Sequence, residues 1–223
     1  MPLKKNSEII IIGGGIAGSS LAYHLAKLNK TDVTLLERHK LTSGTTWHAA
    51  GLIMQLRSTH SLTEIAKYNV ELYSTLESET GVATGFKQNG TLGVARTKDR
   101  MHETKTIASI AKSFNIQAEM ISPSEAKNIY PALNKECIEG AIYIPKDGQT
   151  NPVDTTMSLI AGAKKLGVSV HENIEAIDLK QNSDQSFSVF TKDQVINCEK
   201  LIIACGLWTR SLAAKLGIKV PLY

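Results

Sequence analysis

The chain of 223 residues is long enough for one or two domains, and its 42% hydrophobic and 21% charged residues are ordinary for a globular protein. This composition excludes wholesale disorder, collagen-like repeats and a bundle of membrane helices, since no apolar run approaches the ~20 residues of a spanning helix. No basic stripe carries the net charge of +4, and aromatic residues make up only 5%, so the sequence does not predict nucleic-acid binding. Three scattered cysteines lack zinc-ligand spacing and are typical of a reducing compartment, and no metal site is expected.

The first forty residues predict a βαβ unit of an α/β fold. Glu8–Ile12 is a short β-branched run typical of a buried parallel strand. Apolar residues then recur at helical spacing over Ile16–Leu28, and Asp32–Glu37 reads as a second strand. The crossover between the two strands is expected to be right-handed.

The turn of this unit carries a dinucleotide fingerprint. Residues 13–18 fit G-x-G-x-x-G, with a strand before, a helix after and the acid Glu37 at the end of the next strand. Gly13 would allow the tight turn, Gly15 the approach of a pyrophosphate to the helix N-terminus, and Gly18 close packing of helix on strand. Glu37 would accept hydrogen bonds from ribose hydroxyls and repel a 2′-phosphate, which disfavours NADP and leaves NAD and FAD open.

The middle of the chain predicts a helix over 62–79 that stops at Gly81, a hairpin around Asn89-Gly90, a helix near 101–114, a capped turn at residues 122–125 and a strand at Ala141–Ile144. After these, the patterning returns to α/β. Its predicted helices are Pro152–Leu166 and Leu207–Leu216, and its predicted strands are Gly167–His171, Ile174–Leu179, Phe187–Thr191, Val195–Cys198 and Leu201–Ala204. We therefore predict a discontinuous nucleotide-binding domain, residues 1–80 and 148–223, with residues 81–147 as part of an inserted α+β substrate unit.

Two later segments favour FAD over NAD. Residues 201–206 form a buried strand that ends in a small-residue turn, as at the second glycine-containing strand end of flavoproteins. Residues 42–51 are a run of small and hydroxyl residues just after the ribose-binding strand, which suits the close approach of a bulky ligand.

At this loop the sequence resembles the sarcosine and dimethylglycine dehydrogenase family, FAD-dependent oxidoreductases of the D-amino-acid-oxidase-like fold. The resemblance is carried by residues 37–38, 41–52, 55–57, 85–90, 130–134, 147–148, 151–152 and 205–208, of which Thr-Trp-His-Ala-Ala-Gly at 46–51 is the most specific. It implies that FAD is attached covalently to His48 through the 8α carbon of the flavin. It also implies oxidation of a small N-methyl amine to an iminium that collapses to the demethylated amine and formaldehyde.

The cofactor-binding residues expected from the fingerprint and the resemblance together are Gly13, Gly15, Ile16, Ala17, Gly18, Glu37, Arg38, Gly44, Thr45, Thr46, His48, Ala49, Gly51, Leu52, Ile174, Gly206 and Trp208. Ile174 is expected to contact adenine through its backbone. Arg57 reads as a solvated or structural arginine more readily than as a substrate anchor, and Asp147 and Asn151 read as turn and cap formers. No catalytic base is assigned.

The resemblance also sets expectations about the rest of the protein. In the family, electrons leave to an electron-transfer flavoprotein, and formaldehyde is captured by tetrahydrofolate on a C-terminal domain that is not visible here. We expect the chain to be an N-terminal fragment that binds FAD weakly and turns over poorly. The expected location is the cytoplasm, or the mitochondrial matrix in a eukaryote, although no transit peptide is seen and no membrane association is expected.

Two other functions remain open on the sequence. One is a non-catalytic relative similar to the regulatory subunit of pyruvate dehydrogenase phosphatase, against which His48 in its motif argues. The other is an NAD-dependent dehydrogenase that uses only the first βαβ unit.

Overall fold

The computed structural model describes residues 2–222, which form two compact units. The first contains residues 2–50, 76–84 and 151–222, and the second contains Gly51–Thr75 and Gly85–Thr150. Residues 51–75 and 148–150 thus fall in the second unit, although the prediction placed them in the first domain, and residues 81–84, predicted in the insertion, fall in the first unit. The reason is pairing between distant parts of the chain: strand β3 (Leu52–Ile53) pairs with β7 (Gly148–Gln149), and Lys67 donates a hydrogen bond to the Phe114 carbonyl.

A six-stranded sheet is the centre of the first unit. Its strands, in spatial order, are β8 (Ser169–His171), β2 (Val33–Leu36), β1 (Asn6–Ile12), β11 (Val195–Ile203), β10 (Phe187–Phe190) and β9 (Asp178–Gln181). The first four run parallel, and β10 and β9 continue antiparallel. Ile9–Ile12 and Val33–Leu36 are buried throughout, as expected for parallel strands covered on both faces.

Three helices complete the first unit: α1 (Ile16–Lys27), α5 (Pro152–Lys165) and α6 (Thr209–Ala214). Helices α1 and α5 pack closely, and Gly162 of α5 permits this because it has no side chain. A Cβ on Gly162 would lie 2.7 Å from the Tyr23 ring of α1. Asn151 caps α5 by accepting hydrogen bonds from the N–H groups of Val153 and Asp154, which is the predicted role of Asn151.

The second unit is built on an antiparallel three-stranded sheet in the order β4 (Thr91–Ala95), β6 (Gly140–Ile144) and β5 (Glu119–Ile121). Helix α2 (His60–Thr80) contributes its residues up to Thr75, and α3 (Lys98–Ser113) and α4 (Pro123–Ile129) complete the unit. The predicted cap at residues 122–125 is a full capping box that starts α4: Ser122 and Glu125 each accept from the other's backbone N–H.

Several predicted elements differ from the structure. Val195–Cys198 and Leu201–Ala204 are one strand, Val195–Ile203, in which Lys200 pairs with Glu8 of the neighbouring strand at 3.4 Å. The polar pair Glu199-Lys200 in the middle of the strand therefore concealed its continuity. The predicted helix Leu207–Leu216 is a 3-10 turn, Gly206–Trp208, followed by the short α6.

Two further predictions were wrong in detail. The predicted strand Ile174–Leu179 begins only at Asp178, because Asn173 has a φ of +60° and the Ile174 N–H is used by the Glu37 carbonyl. Gly90 does turn the chain at φ +77°, but no hairpin forms there, since β4 pairs with β6, more than forty residues on, rather than with the preceding segment. Within residues 2–222, no helix is long and apolar enough to cross a membrane.

Candidate functional site

The glycine turn after β1 is fixed by backbone packing. Gly13 has a φ of +114°, and a Cβ there would lie 2.4 Å from the Ala204 carbonyl oxygen at the end of β11. A Cβ on Gly18 would lie 2.0 Å from the Gly13 carbonyl oxygen. The first turn of α1 can therefore lie this close to the glycine turn only because residue 18 is glycine. Helix α1 begins at Ile16, and its N-terminal N–H groups follow this turn directly.

Glu37, at the end of β2, is held by two backbone donors. The Gly14 N–H donates to Oε2 at 2.8 Å and the His39 N–H donates to Oε1 at 2.9 Å. Each carboxylate oxygen has lone pairs left for further donors, such as ribose hydroxyls. The acid is therefore fixed in position before any ligand binds.

The loop after β2 folds against the start of α1. Thr42 has a φ of +69°, and its N–H donates to the Gly14 carbonyl at 3.1 Å. Thr46 is buried, and its hydroxyl accepts from the Ile16 N–H at 3.1 Å, which satisfies one free donor of the helix N-terminus. Leu41 donates to the Glu172 carboxylate at 2.7 Å, so the loop is fastened at both ends.

A cavity of about 480 Å³ lies over these elements, within the size range of small-molecule sites. Six predicted residues from the fingerprint region line it: Gly13, Gly15, Ile16, Ala17, Glu37 and Arg38. Six more come from the loop after β2, from the residue Ile174 and from the turn after β11: Gly44, Thr45, Thr46, Ile174, Gly206 and Trp208. Residues far apart in the sequence thus converge on one space within the first unit.

Five predicted residues do not line this cavity. Gly18 packs beneath the turn instead, and Gly51 and Leu52 belong to the second unit. His48 is exposed in the 3-10 helix Thr46–His48, where its ring lies 3.7 Å from that of Trp47, and Ala49 is exposed directly after it. The His48 imidazole makes no hydrogen bond within the part of the chain that the structure describes.

Arg38 and Trp208 meet at the cavity. The guanidinium carbon of Arg38 lies 4.5 Å from the centre of the Trp208 ring, within range of a cation–π interaction. A Cβ on Gly44 would lie 3.5 Å from the Trp208 ring, so the loop also borders the indole. Arg38 and Trp208, which were both predicted as cofactor-binding residues, thus contact each other at the cavity.

One of the two backbone hydrogen-bonding groups of Ile174 already has a partner. Its N–H donates to the Glu37 carbonyl at 2.9 Å, and the Glu37 N–H in turn donates to the His171 carbonyl. Only the Ile174 carbonyl remains as a hydrogen-bonding group for an adenine amino group.

Sequence reasoning missed Cys205 and Lys215, which also line the cavity. The Cys205 thiol donates to the Ile12 carbonyl at 3.2 Å; burial, helped by the nearby Glu37 carboxylate, raises the pKa of this thiol to about 11. Lys215 forms an ion pair with Asp178 at 3.5 Å. The position of Cys205 before Gly206 was a usable signal, but nothing local in the sequence places Lys215 there. Among residues 2–222, no cluster of His, Cys, Asp or Glu could hold a metal ion.

Comparison with known proteins agrees with this arrangement. The sequence profile described as FAD dependent oxidoreductase matches residues 8–223. The 4-methylaminobutanoate oxidase (formaldehyde-forming) of Paenarthrobacter nicotinovorans is 38% identical over 222 residues, which is 100% of this chain and 27% of that protein. Human mitochondrial sarcosine dehydrogenase is 36% identical over 99% of this chain and 25% of its own length, and dimethylglycine dehydrogenases match at a similar level. The mouse mitochondrial pyruvate dehydrogenase phosphatase regulatory subunit is 32% identical over 94% of this chain and 24% of its own length.

Among solved structures, the L-proline dehydrogenase of P. horikoshii superimposes with a TM-score of 0.91 at 29% identity, covering 99% of this chain and 58% of that one. The predicted resemblance and the predicted D-amino-acid-oxidase-like FAD-binding fold are confirmed. The chain spans about a quarter of the length of the curated relatives named above.

Proposed function

The chain belongs to the family of FAD-dependent oxidoreductases, and from that premise we propose that it is the FAD-binding part of an enzyme that oxidises the N-methyl group of a small amine such as sarcosine or dimethylglycine. The observation that carries the proposal is the convergence of the glycine turn, Glu37, the 42–46 loop and the Gly206–Trp208 turn on one cavity. An enzyme that used only the first βαβ unit to hold NAD would not require the last two segments. The named activities of the bacterial oxidase and of sarcosine dehydrogenase supply the substrate class.

The residues of the cavity fit the pyrophosphate, the ribose and the adenine of FAD's ADP moiety. The N-terminus of α1 would receive the pyrophosphate, because its N–H groups and its helix dipole favour negative charge. Glu37 would accept from the ribose hydroxyls, and the Ile174 carbonyl would accept from the adenine amino group. Arg38 would keep Trp208 beside the cofactor through their stacking contact.

His48 is the proposed point of covalent attachment, to the 8α carbon of the flavin. An exposed imidazole that makes no hydrogen bond to a described residue keeps a nitrogen available as a nucleophile. Trp47, whose ring centre lies 3.7 Å from that of the imidazole with the planes tilted by 33°, would limit the orientations of the imidazole. When bound, the flavin would supply a two-electron acceptor for oxidation of the N-methyl amine, and water would hydrolyse the iminium so formed to the demethylated amine and formaldehyde.

The partners belong to the proposal as well. The substrate is an N-methyl amine, and an electron-transfer flavoprotein is the proposed electron acceptor. Tetrahydrofolate would bind only to a domain outside these 223 residues. The proposed location is the cytoplasm, or the mitochondrial matrix in a eukaryote; the human relative's name places that protein in mitochondria.

Single-turnover reduction of bound flavin tests the reaction. We expect the chain to take up FAD, and sarcosine to bleach the flavin absorbance slowly under anaerobic conditions, with one formaldehyde formed per flavin reduced. Glycine, which lacks the methyl group, is the matched control and should leave the absorbance unchanged. Failure to bind FAD, or equal bleaching by glycine, would contradict the proposal.

A second candidate is a non-catalytic regulatory protein, favoured by the 32% identity to the phosphatase regulatory subunit. It predicts a folded chain whose flavin is not reduced by any N-methyl amine. The anaerobic experiment therefore separates the two candidates.

A further inference from the structure

Thr46 is a buried threonine that lines the cavity of the first unit. It is only 7% exposed, although Trp47 and His48 beside it in the same 3-10 helix are both exposed. Its hydroxyl oxygen accepts a hydrogen bond from the N–H of Ile16, the first residue of α1, at 3.1 Å. A Cβ on Gly15 would lie 3.0 Å from this oxygen, so residue 15 leaves room for the hydroxyl because it has no side chain.

The Thr46 hydroxyl lies where the proposed pyrophosphate site begins. A hydroxyl group can donate one hydrogen bond and accept two. The oxygen of Thr46 already accepts from Ile16, and no described residue accepts its proton. The proton is therefore available to a phosphate oxygen at the N-terminus of α1, beside backbone N–H groups that favour negative charge. A hydrogen bond to such a charged acceptor is stronger than one between neutral groups.

The backbone connects the same residue to His48. The His48 N–H donates to the Thr45 carbonyl at 3.2 Å, and the Ala49 N–H donates to the Thr46 carbonyl at 3.2 Å. A single 3-10 turn has poor hydrogen-bond geometry of its own. Thr46 is the one buried residue of the turn Thr46–His48, so its side chain is the contact that fastens this turn to the start of α1.

We infer that Thr46 is a positioning residue for His48, through which occupancy of the pyrophosphate site fixes the turn that carries the imidazole. The inference rests on the proposed function, because that function gives His48 a group to bind. In the proposed attachment, a bond forms between an imidazole nitrogen and the 8α carbon of the flavin, and each of these atoms loses one hydrogen. The two electrons pass to the flavin and then to dioxygen, which leaves as hydrogen peroxide with both protons.

Three variants test the inference. Thr46→Val keeps the shape of the side chain and removes the hydroxyl, and Thr46→Ser keeps the hydroxyl. Thr31→Val is the control, since it removes an exposed hydroxyl of the same unit that does not line the cavity.

Calorimetric titration with ADP and with adenosine, which lacks the phosphates, measures the contact with the pyrophosphate. The affinity of Thr46→Val for ADP should be lower by about tenfold, because a hydrogen bond to a charged group is lost. Its affinity for adenosine should be unchanged. Thr46→Ser and Thr31→Val should bind both ligands as the wild type does.

Amide hydrogen exchange over residues 46–49 measures the connection to His48. Saturating ADP should slow this exchange by about tenfold in the wild type and in Thr46→Ser, since the rate reports the free energy of local opening. Adenosine should leave the rate unchanged, and so should ADP in Thr46→Val. The rate at which FAD becomes covalently attached in air should fall by about tenfold in Thr46→Val only, since small misplacements of reacting groups are costly.

Three results would overturn the inference. Equal slowing of exchange by ADP and adenosine in the wild type would show that the phosphates do not fix the turn; this comparison needs no variant and decides the matter if Thr46→Val does not fold. Equal losses of affinity for the two ligands in Thr46→Val would show a merely structural role. Attachment of FAD to Thr46→Val at the wild-type rate would show that the hydroxyl does not position His48.

Failure of the proposed reaction gives a different result. A wild-type chain whose bound flavin is not bleached by sarcosine contradicts that reaction, while the titrations and the exchange rates still support or overturn the role of Thr46. A wild type that binds FAD without covalent attachment contradicts both the proposed bond to His48 and the role of Thr46. A wild type that binds neither ADP nor FAD would overturn the proposed function and the inference together.

Discussion

The carboxylate of Glu37 and the backbone N–H of Gly14 are joined by a hydrogen bond of 2.8 Å across 23 residues of chain. The acid that is proposed to bind ribose therefore also shapes the glycine turn that is proposed to bind the pyrophosphate. Cofactor binding and local stability depend on the same side chain, and this dependence can be measured.

Glu37→Gln should weaken both ADP binding and the stability of the fold. A glutamine amide has one oxygen where the carboxylate has two, so either the Gly14 or the His39 donor is left without a partner. Hydrogen bonds to a charged group are worth about 1.5–3 kcal/mol each. ADP affinity should therefore fall by roughly tenfold or more, and the free energy of unfolding should fall by about 1.5–3 kcal/mol. Calorimetric titration with ADP and urea unfolding measure the two quantities.

The matched control is Glu199→Gln on β11, whose side chain is 74% exposed and lies 4.0 Å from Lys200. Exposed ion pairs contribute little, so this variant should bind ADP as the wild type does. Equal losses in the two variants would show that net charge, rather than the position of Glu37, controls binding.

Gly13→Ala and Gly18→Ala should each destabilise the fold by more than about 2 kcal/mol. Their added Cβ atoms would lie 2.4 and 2.0 Å from backbone carbonyl oxygens, which cannot move without displacing a strand end or the turn. Gly44→Ala is the control, because its Cβ would be in ordinary contact at 3.5 Å. Urea unfolding with similar midpoints for all three variants would contradict the described geometry of the turn.

Tryptophan fluorescence should report ligand binding through Trp208 alone. The chain has two tryptophans, of which Trp208 lines the cavity and Trp47 does not. ADP should therefore change the emission of Trp47→Phe, which keeps Trp208, and leave that of Trp208→Phe unchanged. The opposite pattern would place the ligand elsewhere.

Alkaline pH should destabilise the fold through its buried thiols. Burial raises the pKa of Cys198 and of Cys205 from the ordinary 9.0 to about 11. The unfolded chain releases these protons near pH 9, while the folded chain retains them until about pH 11. The stabilisation is thus complete below about pH 9 and is lost as the pH rises toward about 11. Urea unfolding across this window should show a smaller loss for Cys198→Ala than for Cys137→Ala, which changes an exposed thiol; identical slopes would contradict the assignment.

Local patterns predicted the elements that depend on neighbouring residues. The glycine turn, the Glu37 position and the Asn151 cap each follow from residue types at fixed short spacings, and the structure places them as expected. The single strand Val195–Ile203 was split in the prediction, because Lys200 is a polar residue in its middle. The ion pair of Lys200 with Glu8 on the next strand explains why a lysine lies there.

Long-range pairings were not predictable from spacing. Asp147 was interpreted as a turn former, whereas its buried carboxylate accepts a hydrogen bond from the Gln55 N–H at 2.9 Å, and no local pattern connects the two residues. Lys215 lines the cavity beside Asp178, with which it forms an ion pair at 3.5 Å, and this is a contact between distant parts of the chain. The motif around His48 was recognisable from the resemblance alone; its geometry shows an accessible ring in tilted contact with Trp47.

The central claim is that His48 carries the flavin, and peptide mass spectrometry tests it most directly. The chain is expressed with riboflavin, denatured and digested, and the mass of the peptide that contains His48 is measured beside that of the His48→Ala variant. We expect the wild-type peptide to carry the mass of FAD less the two hydrogens lost when the C–N bond replaces an N–H and a C–H bond, with fragmentation placing it on His48, and the variant peptide to carry none. A yellow protein whose His48 peptide has its unmodified mass would contradict covalent attachment, and a colourless protein would contradict the account as a whole.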